Sequence, residues 1–155
     1  MDYLVDSNIL LRHIEPRHPM HPEAVNAVAA LLNAGESVYV IPQNISEFWN
    51  VCTRPLNKNG LGFTPAQTDL ELKRIESLLT VLLDNAAIYP QWRQIVVKYA
   101  VSGVQVHDAR IVAAMRAHGI THLVTFNQAD FKRYTDIMVM TPQEVINTYP
   151  PPATP

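Results

Sequence analysis

Short apolar runs alternate with stretches of helical spacing along almost the whole chain. The runs fall at residues 3–5, 38–41, 80–83, 122–126 and 137–140, strand-length segments bounded by Pro, Gly or polar residues. Between the first two, Ile9, Leu10 and Ile14 recur at helical spacing behind Ser7 as N-cap, and Val25, Val28, Ala29 and Leu32 recur between Pro22 and the terminator Gly35. A helix over residues 43–53 carries Ile45, Phe48, Trp49 and Cys52 on one face, with Asn44 and Glu47 on the face beside it. Arg54-Pro55 ends that helix, residues 56–63 read as a loop, and Thr64-Pro65 caps and opens a helix to about Leu79. Further helices span residues 90–99 and 107–118, the second with Ile111, Val112 and Met115 inward before Gly119, and Pro142 starts a short last one. Strands separated by helices imply βαβ units. The expected fold is α/β, a three-layer α/β/α sandwich with a mostly parallel central sheet of four to five strands.

A chain of 155 residues is long enough for one well-buried core, and no repeat or compositional break divides it. Residues 1–148 read as a single domain and the Pro-rich residues 149–155 as an extended, mobile tail. A formal charge of -2 supplies no broad cationic field, so tight and indiscriminate nucleic-acid binding is not expected, although a local basic patch is compatible with it. The lone Cys52 excludes an intrachain disulfide and a thiolate metal cluster, which fits a reducing compartment such as the cytoplasm. Neither a secretory leader nor a membrane-spanning run is visible.

In a parallel sheet the carboxyl ends of the strands meet at one edge, and polar residues distant in sequence converge there. Four positions fall where strands give way to helices: Asp6, Glu47, Asp108 and Asn127. Each has an ordinary explanation when taken alone. Asp6 would cap the helix after it, Glu47 would be solvated, and Asp108 would complement a helix macrodipole. Together they gather acids that cannot all be ionised in one pocket unless a cation lies between them or one takes up a proton. Oxygen donors with open coordination positions suit Mg²⁺ better than Zn²⁺. Such a site would serve phosphodiester hydrolysis.

These segments resemble those of the PIN-domain ribonucleases, and among them the VapC-like toxins of bacterial toxin–antitoxin pairs. Leu4-Val5-Asp6-Ser7-Asn8 is similar to the opening motif of that family, Ser46-Glu47 to its mid-chain glutamate, and residues 108–114 to its third-acid helix. Thr125-Phe126-Asn127 with Asp130-Phe131 resembles the closing motif, and the whole likeness covers about residues 2–142. The resemblance implies a metal-dependent endoribonuclease in which Asp6, Glu47 and Asp108 hold Mg²⁺ or Mn²⁺ and a metal-bound water attacks the phosphodiester. Ser7, Thr125 and Asn127 would orient ligands, water or substrate around that ion. It further implies an RNA substrate, a small antitoxin partner and a homodimer. Many members carry an aspartate where this chain has Asn127, so either three acids suffice or Asp130 contributes from one turn away.

Competing chemistries lack their residues. His13, His18 and His21 are close in sequence but separated by Pro16 and Pro19, with no cysteine to complete a zinc site. A haloacid-dehalogenase-like phosphatase needs a second aspartate two residues after Asp6, where Asn8 stands. Gly60-Leu61-Gly62 lacks the setting of a dinucleotide-binding loop. His107 reads as a cap or surface residue and Cys52 and Trp49 as core, while Arg12, Arg54, Lys58, Arg110 and Arg116 are scattered cations able to meet RNA phosphates. The non-catalytic alternative is a PIN-like scaffold that binds RNA or protein without cutting.

Overall fold

The computed structural model describes residues 1–153, so Thr154 and Pro155 of the expected tail lie outside the described residues. Five parallel strands, β1 (Asp2–Val5), β2 (Ser37–Val40), β3 (Thr80–Val81), β4 (His122–Val124) and β5 (Met138–Met140), form one sheet in the order β3-β2-β1-β4-β5. Seven helices connect and follow them: α1 (Ser7–His13), α2 (His21–Asn33), α3 (Pro42–Thr53), α4 (Pro65–Leu78), α5 (Ile88–Lys98), α6 (Gln105–His118) and α7 (Pro142–Thr148). The expected α/β sandwich is therefore present, with every strand pair parallel.

Strand alternation divides the interior. Tyr3 and Val5 of β1 point into a core with Ile9, Val28, Phe48 and Ile75, whereas Leu4 between them joins Ile95, Ile111, Met115 and Leu123 on the opposite face. The first face is covered by α1 to α4 and α7, the second by α5 and α6. From β1 the chain moves outward through β2 to β3, then crosses to the other side of β1 for β4 and β5. The order reverses between β1 and β4, the place where open α/β sheets commonly form a binding crevice beyond the strand ends.

Local chemistry fixes the elements. Thr64 and Thr141 each cap a helix with the side-chain hydroxyl and donate a reciprocal backbone N–H bond to the side-chain oxygen of Gln67 or Glu144, with Pro at the first position of both helices. Gly119 ends α6 at φ 70°, a left-handed backbone conformation that is strained for residues with a side chain. Gly60 is constrained by proximity, since a Cβ there would lie 1.9 Å from the Arg54 carbonyl oxygen. That contact closes the loop after α3, which contains a 3₁₀ turn at Leu56–Lys58.

Some boundaries differ from the sequence expectation. Asp6, not Ser7, is the N-cap of α1, and Ser7 is its first residue. α5 begins at Ile88 because a proline at its third position loses no helical hydrogen bond. β3 stops after Val81; Leu82 N–H still reaches Val40 O at 2.9 Å, but Leu83 is already exposed. The inward face of α3 is Asn44, Phe48 and Cys52 at intervals of one turn, which buries Asn44 completely and, against expectation, leaves Trp49 half-buried outside both cores. Tyr149 caps α7 and its hydroxyl bonds Tyr3 and Glu36 at 2.8 and 3.1 Å, anchoring the last turn to β1. Among the described residues no helix is long and apolar enough to cross a membrane.

Candidate metal and phosphodiester site

β1 delivers Asp6 to the crevice as its last hydrogen-bonded step, with Asp6 N–H donating to Val124 O of β4 at 3.0 Å. The side chain is 6% exposed, a setting in which a carboxylate must be compensated. Oδ1 accepts from Ser7 N–H at 2.8 Å and Oδ2 from the Thr125 hydroxyl at 2.8 Å, with Asn8 Nδ2 at a longer 3.5 Å. Burial still holds the Asp6 carboxyl above its ordinary range, against the bonds from Thr125 and Ser7 and with the charge of Glu47 adding to the rise.

Thr125 is the hub of this half of the site. Its fully buried hydroxyl donates to Asp6 and accepts from Asn8 Nδ2 at 3.1 Å and from the Asn127 backbone N–H at 3.0 Å. Asn8 in turn accepts from Phe126 N–H at 3.3 Å. The end of β1 and the turn after β4 are thereby tied across the switch point. Asn127 contributes its backbone, and its side chain is exposed.

Glu47 lies on the first half of α3, where its Oε2 accepts from Ser7 Oγ at 3.0 Å and its Oε1 from Gln43 Nε2 at 3.0 Å. Gln43 also donates to the His107 carbonyl at 2.8 Å and accepts from Arg110 Nη1 at 3.2 Å. Arg110 Nη2 then reaches Asp84 at 3.2 Å. A polar chain thus runs from Glu47 through Gln43 and Arg110 to Asp84. Gln43 precedes Glu47 by one helical turn, a spacing visible in the sequence; its link to Arg110 joins α3 to α6 and had no sequence signal.

Asp108, in the first turn of α6, is half-buried, and among the described residues no donor reaches its carboxylate. Burial first, then the charges of Asp6, Asp130 and Glu47, push its carboxyl up from 3.8 to about 6, with His107 acting weakly the other way. Those couplings place all four acids within one electrostatic neighbourhood. Asp130, on the 3₁₀ turn Gln128–Phe131, is exposed at its rim. As the side chains stand, no three His, Cys, Asp or Glu among the described residues are close enough together to hold an ion directly.

The donor set nevertheless fits a hard divalent cation. It consists of carboxylate oxygens, one of which lacks any hydrogen-bonding partner, and Mg²⁺ commonly engages only one or two carboxylates while keeping waters in its shell. Histidine sites are not assembled: His18 Nδ1 accepts from Met20 N–H at 3.0 Å and the His21 ring bonds Arg12 O at 2.8 Å, both stabilising the turn before α2. Cys52 is buried in the core, its thiol raised to about 12 by burial.

The fold has close counterparts among solved structures. The chain is 19% identical to VapBC2 from Rickettsia felis, solved with a DNA fragment from its promoter, over 91% of this chain and 98% of that one at a TM-score of 0.68. DNA-bound VapBC from Salmonella typhimurium matches at 18% identity, 92% and 98% coverage and a TM-score of 0.67. VapC20 of Mycobacterium tuberculosis, a toxin that cleaves the sarcin-ricin loop, matches at 16% identity, 85% and 95% coverage and a TM-score of 0.61. No curated protein sequence matches the chain. The PIN domain family matches residues 3–137, most of the chain and all of the acidic edge from Asp6 to Asp130, and the protein belongs to that family.

Proposed function

We propose that this PIN-domain protein is a divalent-metal-dependent endoribonuclease acting as the toxin of a toxin–antitoxin pair. The observation that carries the reading is the gathering of Asp6, Glu47 and Asp130 around Asp108 at the switch point of the sheet, where burial first and then those three charges push the Asp108 carboxyl up to about 6. Asp6, Glu47 and Asp108 would hold Mg²⁺ or Mn²⁺, in part through water, and Asp130 rather than Asn127 would add negative charge at the rim. When bound, such an ion supplies a nucleophile at neutral pH and stabilises charge on the phosphate oxygens. The protein's own groups have distinct tasks. Thr125 and Ser7 N–H hold Asp6 in one rotamer, Ser7 Oγ and Gln43 do the same for Glu47, and Asn8 locks the two strand ends together. Support of this kind keeps ligand carboxylates oriented before the ion arrives.

The antitoxin partner is inferred from the solved neighbours, several of which are toxin–antitoxin complexes. A homodimer and an RNA substrate belong to the same reading. The test is cleavage of a mixed structured RNA pool by the purified protein with Mg²⁺ or Mn²⁺ and with chelator, beside an Asp6→Asn, Asp108→Asn double variant. Cutting that requires metal and disappears in the variant supports the nuclease. RNA binding by both proteins with no cutting by either would sink it in favour of a scaffold.

A further inference from the structure

Beside the acidic edge lies a cavity of about 420 Å³, within the size range of small-ligand sites. Its walls are Asp84, Asn85, Ile88, Tyr89, Trp92 and Arg110. The sheet topology explains why it adjoins the metal site: the segment after β3 and the first turn of α6 both emerge at the carboxyl edge that carries Asp6 and Glu47. The link is also direct, since Arg110 bonds Gln43, which bonds Glu47. Arg110 is two residues from Asp108 on α6.

The lining combines two kinds of recognition chemistry. Tyr89 and Trp92, one turn apart on α5, are stacked with ring centroids 6.3 Å apart and planes inclined by 29°. Trp92 is fixed by its indole N–H, which donates to Val106 O at 2.9 Å, and Tyr89 is 67% exposed. Opposite this aromatic wall, the Arg110 guanidinium and the Asp84 carboxylate, 3.2 Å apart, present a donor and an acceptor side by side. An aromatic face with an adjacent donor–acceptor pair matches an unpaired nucleobase, which offers a π-face for stacking and a polar edge for hydrogen bonding.

We infer that this cavity is the subsite for an unpaired RNA base next to the phosphodiester that is cut. The inference rests on the ribonuclease reading above and adds where the strand is gripped. Stacking on Tyr89 and Trp92 holds the base, Arg110 and Asp84 read its edge, and the Arg110–Gln43–Glu47 chain couples that grip to the acids. Arg110 and Asp84 pair with each other at 3.2 Å, and a base edge bound between them would take over part of that contact.

The experiment measures binding of the full chain to a fluorescein-labelled, unstructured eight-nucleotide RNA of mixed sequence by anisotropy in chelator, where no cleavage occurs. Tyr89→Ala should weaken binding about tenfold while Tyr89→Phe retains it, because stacking needs the ring and not the hydroxyl. Val97→Ala, on the exposed far end of α5, should bind as wild type does. With Mn²⁺ present, Tyr89→Ala should raise KM more than it lowers kcat, and Asp84→Asn should relax base preference beside the cut. Equal binding and an unchanged cleavage pattern in Tyr89→Ala overturn the subsite and leave the nuclease standing. Loss of binding in Tyr89→Phe as large as in Tyr89→Ala overturns stacking. A wild-type protein that neither binds nor cuts RNA overturns both readings and points to a different occupant of the cavity, a protein segment included.

Discussion

The carboxylate of Asp6 accepts from Ser7 N–H, from the Thr125 hydroxyl and at longer range from Asn8, whereas no donor among the described residues reaches that of Asp108. Both stand at the same edge and both are pushed towards the neutral form, but by different balances. For Asp6, burial is opposed by hydrogen bonds to the charged form. For Asp108, burial is reinforced by three neighbouring acids. The β1–β4 half of the site is thus assembled by the fold itself, while the α6 half is left with a charge that only a proton or a cation can neutralise. For the proposed metal site, such a division would be rigid where a ligand is aimed and unsatisfied where an ion is attracted.

The largest effect that would test this division comes from the supported half. Thr125→Val keeps the shape of the side chain but removes one donor and one acceptor from a fully buried position, leaving Asp6 Oδ2 and Asn8 Nδ2 only their long 3.5 Å contact with each other and stranding Asn127 N–H. A loss of about 2 kcal/mol of folding stability is expected, read by urea unfolding, together with weaker metal binding by calorimetry. A variant as stable as wild type would mean that the β1–β4 half is not held by this hub.

A smaller effect concerns protons at the unsupported half. A carboxyl titrating at about 6 must lose its proton before it can ligate an ion, so metal affinity should fall as pH drops through that value. Mn²⁺ should bind about tenfold more weakly at pH 5 than at pH 7, and the difference should largely vanish in Asp108→Asn. Affinity that is flat across the range in the wild type would place the ion away from Asp108.

Much of this arrangement can be read from the chain, for reasons that also mark where reading stops. Run length and punctuation are local, so Pro42, Thr64-Pro65, Gly119 and Thr141-Pro142 locate the elements and, with them, Asp6 at the end of β1 and Glu47 on α3; Asp108, expected where a strand gives way to a helix, instead opens α6 after the helix α5. Helix faces are less secure, because neighbours lie about 100° apart around the axis: Trp49 falls outside the core that Phe48 occupies, and Asn44 turns inward. Long-range pairings carry no local signal at all. Nothing near Gln43 announces Arg110, and nothing near Asn8 announces Thr125 more than a hundred residues later. The unequal hydrogen-bond support of Asp6 and Asp108 resides in those pairings.

The smallest effect has the opposite sign to most substitutions at a functional site. Because its folded-state value lies above the unfolded one, Asp108 binds its proton more tightly in the native protein, and stability falls as pH rises from below 3.8 to above 6. At neutral pH the ionised carboxylate therefore opposes folding of the metal-free protein. Asp108→Asn removes that charge without changing the size of the side chain. After allowance for solvent screening at a half-buried position, the gain should be about 1 kcal/mol, or about 2–4 °C in Tm at pH 7. It should shrink towards zero at pH 4, where wild-type Asp108 is already protonated. Adding Mn²⁺ should reverse the order, raising the Tm of the wild type and leaving that of the variant nearly still, since an ion stabilises only the protein that binds it. A variant less stable than wild type in chelator at pH 7 would show that Asp108 is satisfied by the fold in the same way as Asp6, and the contrast between the two halves of the site would be lost.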